Sequence, residues 1–94
     1  MSIYSIWESR FPQESAQEGV EATHAIWGDM PAFDGYLDHK VAQDLDQPGH
    51  LFVVSRWTSR EAAEAALVYL SHPNAKRVGE LVSEPRRRTV AAAV

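Results

Sequence analysis

From Ile3 to Phe11 the chain sets Ile3, Trp7 and Phe11 on one side of a two-residue period and Tyr4 and Ile6 on the other. That pattern predicts a strand with two apolar faces. Pro12, which has no backbone donor, ends it. Ser15-Ala16-Gln17-Glu18 has the form of a capping box, and behind it Ala16, Val20, Thr23, Trp27 and Met30 recur at steps of four and three. These positions form one stripe of a helix, which Met30-Pro31 closes. Asp34-Gly35 reads as a turn, Tyr36 to Leu45 as a second, more polar strand, and Asp46-Gln47-Pro48-Gly49 as a further turn. His50 to Trp57, with the unbroken run Leu51-Phe52-Val53-Val54, predicts a third strand forming a hairpin with the second.

Thr58-Ser59-Arg60-Glu61 repeats the capping pattern and opens an alanine-rich helix through Ala62, Ala66, Leu67 and Leu70. His72-Pro73 interrupts that helix, and Pro73 suits the first position of another turn or two with Val78, Leu81 and Val82 inward. Pro85 closes the segment, and Arg87 to Val94 reads as the last strand. The order β-α-β-β-α-β predicts one α+β domain over residues 1–94 with a ferredoxin-like fold. In it a four-stranded antiparallel sheet carries both helices on one face.

Helices on one face leave the other bare. Neighbouring strand residues point to opposite sides, so Leu51-Phe52-Val53-Val54 and the pairs Ile3/Tyr4 and Ile6/Trp7 make both sheet faces apolar. An uncovered face of several hundred square ångströms is rare in monomers. A second copy placed sheet to sheet about a twofold axis covers it, which predicts a homodimer.

Composition narrows the partners. Nine basic and thirteen acidic residues give a net charge of −4, which disfavours nucleic acid. No apolar run approaches the roughly 20 residues that cross a bilayer, and the opening Met1-Ser2-Ile3-Tyr4 lacks the basic start and apolar stretch of a signal peptide. There is no cysteine, which removes disulfides, thiolate catalysis and cysteine-based metal sites together. A cytoplasmic location with no membrane partner is the expectation.

The stretch Phe33-Asp34-Gly35-Tyr36, the turn from Asp46 to Gly49, the segment Trp57-Thr58-Ser59-Arg60-Glu61-Ala62 and Leu70-Ser71-His72-Pro73-Asn74-Ala75-Lys76 resemble the antibiotic biosynthesis monooxygenase family. The resemblance implies a dimeric α/β barrel with a pocket between sheet and helices in each subunit. It further implies a cofactor-free oxygenase for a small aromatic or quinol-like substrate. Haem degradation and the binding of a small apolar ligand without catalysis are alternatives in the same group.

Trp57 occupies the family's tryptophan position and is expected to hold a flat phenolic substrate, although a large aromatic here also reads as plain core. His24, one turn before Trp27, is expected to accept the substrate proton, its ordinary pKa being about 6.5. Trp27, Tyr69, His72 and Asn74 are the expected substrate-binding residues. Two positions depart from relatives with oxygenase activity. Val53 stands where an asparagine would donate to an oxyanion, and Asn74 stands where a histidine would follow the proline. A haem-degrading relative would also need an asparagine on the first strand, which offers Ser5, Trp7 and Ser9. No two histidines stand four residues apart on a helix, so no metal site is expected, and no cofactor. His39 and His50 are expected to face solvent or the partner copy, and Arg86-Arg87-Arg88 to pair with Asp44 and Asp46 at the subunit boundary.

Overall fold

The computed structural model describes residues 2–94. Its strands are β1 (Ile3–Arg10), β2 (Tyr36–Gln43), β3 (His50–Trp57) and β4 (Arg87–Ala92), and its α-helices are α1 (Ala16–Gly28), α2 (Arg60–Ala65) and α3 (Pro73–Leu81). The sheet order is β2-β3-β1-β4, with antiparallel pairing at each of the three contacts. This is the ferredoxin-like α+β arrangement expected from the order of elements. No helix among the described residues is long and apolar enough to cross a membrane.

The register explains which side chains meet the helices. Ile3, Ser5, Trp7 and Ser9 stand opposite Trp57, Ser55, Val53 and Leu51, so all eight point to the helical side. Tyr4, Ile6 and Glu8 face the other way with Arg56, Val54 and Phe52. Leu51 and Trp57 are each 1% exposed and Ser55 is fully buried, placing the densest packing on the helical side of β3.

Three local expectations need correction. Ser15 makes no side-chain cap, because a 3-10 turn over Gln13–Ser15 runs straight into α1 and holds Ser15 near φ −106°, ψ 5° instead of extended. At α2 the cap is Ser59, not Thr58: Ser59 is extended and its hydroxyl accepts from the Ala62 N–H at 3.1 Å. The alanine-rich helix also tightens into a 3-10 segment, Ala66–Ser71, before Pro73 starts α3. There the His72 Nδ1 accepts from the Asn74 N–H at 3.1 Å and caps the new helix.

The turn before β3 is fixed by a glycine. Phe11 donates its N–H to the Gly49 carbonyl at 2.7 Å, and a Cβ on Gly49 would lie 2.1 Å from the Phe11 carbonyl oxygen. Only glycine permits that approach.

The arginine run lies elsewhere than expected. Within the chain β4 is the edge opposite β2, so Arg86, Arg87 and Arg88 do not reach Asp44 or Asp46. Arg88 bonds Glu64 and Ser5 instead, and Asp44 bonds His50.

His50 is buried and not turned to solvent. Its Nδ1 lies 2.9 Å from Asp44 Oδ2 and its Nε2 lies 2.5 Å from Glu8 Oε2. A carboxylate at each nitrogen favours the imidazolium form, so Asp44 and then Glu8 raise the ring's pKa above the ordinary value of about 6.5. The stability this bridge supplies is complete below about pH 6.5 and falls away as pH rises through the raised value. Between about pH 6 and pH 9 the natural chain should therefore lose more thermal stability than a His50→Gln variant. Calorimetry at the two pH values checks this, and equal losses would contradict it. Asp44 acts at the other end of the scale: bonding to His50 and to the Asp46 N–H lowers its pKa, so its contribution is present above about pH 4 and disappears in stronger acid.

Candidate functional site

Small residues on the helices and bulky ones on the sheet leave a gap between the layers. Ser5, Trp7, Val53 and Trp57 form its floor. Thr23, Ile26, Trp27 and Met30 of the first helical layer form one wall, and Ala63, Ala66, Tyr69, Ala75 and Val78 form the other. The space open to the centre of a water molecule is about 60 Å³, inside a cleft of about 600 Å³ when its open mouth is counted. The mouth brings the cleft into the range of about 300–1,000 Å³ usual for ligand sites. The enclosed part holds a few waters or the leading edge of one ring.

Trp57 closes the floor and is not free to donate. Its Nε1–H donates to Ser55 Oγ at 2.9 Å, and that hydroxyl donates to the Ser5 carbonyl at 2.8 Å. The chain of bonds satisfies two buried polar groups and locks the indole. Trp57 therefore offers a ligand its ring and not its N–H. Val53, 4% exposed, adds only methyl groups to the floor beside it.

Tyr69 is the polar member of the opposite wall. Its hydroxyl donates to Asp29 Oδ2 at 2.5 Å and accepts from Asn74 Nδ2 at 3.1 Å. His72 stacks on the Tyr69 ring with centroids 4.5 Å apart and planes 10° from parallel. Burial, and then the Asp29 carboxylate, raise the phenol's pKa, so Tyr69 keeps its proton at neutral pH. Asp29 itself is exposed just beyond the end of α1 and links the hydroxyl to solvent.

Five of the six residues singled out from sequence thus converge: Trp27, Trp57 and Tyr69 line the cavity, and His72 and Asn74 hold Tyr69 from outside it. His24 is the exception. It is exposed and lies off the cavity wall, because it follows Thr23 by one residue and so points about 100° around the helix from the buried stripe. The hydrogen-bonded polar pair at the cavity wall is Tyr69 with Asp29. His39 also departs from expectation. It lies on the helical side of β2, 5.4 Å from the Trp27 ring, and burial, then the charge of His24, lower its pKa. Tyr36 bonds its Nδ1 at 2.6 Å.

Sequence reading missed Ser5, Ser9, Asp29 and Arg86. The two serines had a signal, since they alternate with Trp7 on the buried register of β1, where small polar residues leave room. Asp29 and Arg86 sit just outside regular elements, and no periodicity points to them.

The model of the family described as antibiotic biosynthesis monooxygenase matches residues 2–78, most of the chain. The chain belongs to that family. Among solved structures, the cofactor-independent oxygenase SnoaB of Streptomyces nogalater superposes with a TM-score of 0.83 at 13% identity, covering 99% of this chain and 93% of its own. A Nitrosomonas europaea protein assigned to the antibiotic biosynthesis monooxygenases gives 0.82 at 15% identity, covering 99% and 90%. The Mycobacterium tuberculosis protein Rv0793 gives 0.76 at 23% identity, covering 100% and 96%. At these identities the likeness shows the fold alone. No curated protein matches the chain in sequence.

Proposed function

We propose that this member of the family is a cofactor-independent monooxygenase for a small electron-rich aromatic or quinol-like molecule. The observation that carries the reading is the apolar cavity, floored by the locked Trp57 ring and walled by a Tyr69 hydroxyl already bonded to an exposed carboxylate.

The residues support the following steps for a substrate with an activated methylene between aryl groups. The ring slides along Trp57 and Trp27, and the acidic proton passes to Tyr69 Oη while the tyrosine proton passes to Asp29. Since the phenol resists ionisation, it relays the proton and does not store the charge. The carbanion reduces dioxygen, a C–O bond forms, and the peroxide recovers a proton through Tyr69. Loss of water leaves a carbonyl, so one methylene and one dioxygen become one ketone and one water. Metal-free protein mixed with a panel of anthrones and quinols should take up oxygen above the buffer rate. A flat trace across the panel would overturn the reading.

One observation favours a second reading, a dimer that binds a small apolar ligand without turnover. Val53 and the occupied Trp57 N–H leave the Trp57 end of the floor without a donor for an oxyanion. Saturable binding of the same panel with no oxygen uptake would establish it. Haem degradation fits poorly. Nδ1 of His72 accepts the bond that caps α3, which leaves the neutral ring's proton on Nε2 and no lone pair for an iron.

The unit would be a homodimer, consistent with the open sheet face, where Tyr4, Ile6, Phe52 and Val54 cluster and Val54 is 36% exposed. Sedimentation velocity should give twice the chain mass. Val54→Glu should give a single-chain particle that keeps its fold, because this side chain is exposed within one copy. A natural chain that sediments alone at micromolar concentration would contradict the dimer.

A further inference from the structure

At the β1–β4 end the same cavity carries a cation with no counter-charge. Arg86 lines the space and makes one weak bond, from Nη1 to the Ala75 carbonyl at 3.3 Å. Among the described residues no carboxylate pairs with it, although the chain has thirteen. Its neighbours on β4 are used otherwise. Arg87 is exposed on the open face, and Arg88, outside the cavity lining, bonds Ser5 Oγ at 3.2 Å and Glu64 Oε2 at 3.4 Å with its Nη2 buried and unpaired. Arg86 is half-buried, and its unspent donors stay open to the cavity mouth and to water, free to take an anion. Burial alone pulls its pKa down, with no carboxylate opposing.

Helix α3 leaves space beside this group. Gly79 lies inside α3, where glycine weakens a helix, and a Cβ there would stand 3.3 Å from Arg86 Nη2. The missing side chain gives the guanidinium room to lie against the helix. Ser5 completes the arrangement: its Oγ accepts from Arg88 Nε, which leaves the serine O–H to donate into the cavity.

We infer that Arg86 anchors an acid group and that the cavity takes a small aromatic carboxylate, its ring toward Trp57 and its carboxylate on the Arg86 fork. A guanidinium offers two parallel N–H donors that match a carboxylate. The enclosed volume of about 60 Å³, with one cation among the described lining residues, suits that group better than a phosphate dianion. The inference rests on the cavity being the ligand site and names the class of molecule it selects.

The test is calorimetric titration of the whole protein with 2-naphthoate and with its methyl ester. The acid should bind about 10- to 100-fold more tightly than the ester, as one charge-assisted anchor predicts. Arg86→Gln should remove that preference and leave ester affinity unchanged, which also shows that the variant is folded. Arg86→Lys should keep only part of the preference, and Arg60→Gln, with the same change of charge on exposed α2, should keep all of it. Equal binding of acid and ester by the natural chain would overturn the anchor while leaving the aromatic cavity standing. So would a preference that survives in Arg86→Gln. If neither probe binds, the anchor and the cavity reading fail together.

Discussion

Trp57→Ala should cost the fold about 3–5 kcal/mol, the usual loss for deleting a fully buried tryptophan. For a domain near this size that is a fall of roughly 12–40 °C in melting temperature. The side chain is 1% exposed, contacts the floor of the cavity and the Tyr36 ring, and carries the first bond of the Trp57–Ser55–Ser5 chain. Trp57→Phe keeps most of the packing and loses the indole donor, so about 1–2 kcal/mol is expected for the phenylalanine variant. Denaturant unfolding at fixed protein concentration reads both. A loss under about 1 kcal/mol for the alanine variant would mean that the sheet holds its register without this residue.

Tyr69→Phe should act chiefly on rate, with binding little changed and a stability loss of about 1–2 kcal/mol for the two hydrogen bonds removed. The ring remains and still stacks with His72, but the path from the cavity to Asp29 is cut. Removing a positioned proton-transfer group typically costs about 100- to 10,000-fold in turnover. Oxygen uptake should fall by that order with KM little changed, and Asp29→Asn should fall in the same direction. An unchanged rate in Tyr69→Phe would place the proton transfer elsewhere. His24→Ala, at an exposed position, should leave the rate unaltered.

The order of elements and the length of β3 were legible because alternation and turn residues are local properties. His50–Trp57 begins and ends where the pattern places it, while β1, β2 and β4 each stop one or two residues short, at the point where pairing with a neighbour runs out. The caps were harder. Whether Ser15 or Thr58 caps a helix depends on the backbone angle at which the preceding turn delivers the chain, and spacing does not encode that angle. For the site, aromatic residues were readable because size and hydrophobicity place them inside. His24 escapes the pattern because a single helical position separates the buried stripe from solvent. Asp29 and Arg86 matter through contacts with residues distant in sequence, Tyr69 and Ala75, and become visible only once the Ala66–Ser71 segment and α3 are packed in place.

Oxygen chemistry in the cavity without a metal or an organic cofactor is the claim on which the proposed function stands. Turnover of an active panel substrate under 18O-labelled dioxygen, with chelator-treated protein in ordinary water, tests it most directly. One labelled oxygen is expected in each product carbonyl, the other in water, at a rate the chelator does not change. Unlabelled product, or a rate that the chelator abolishes, would contradict it.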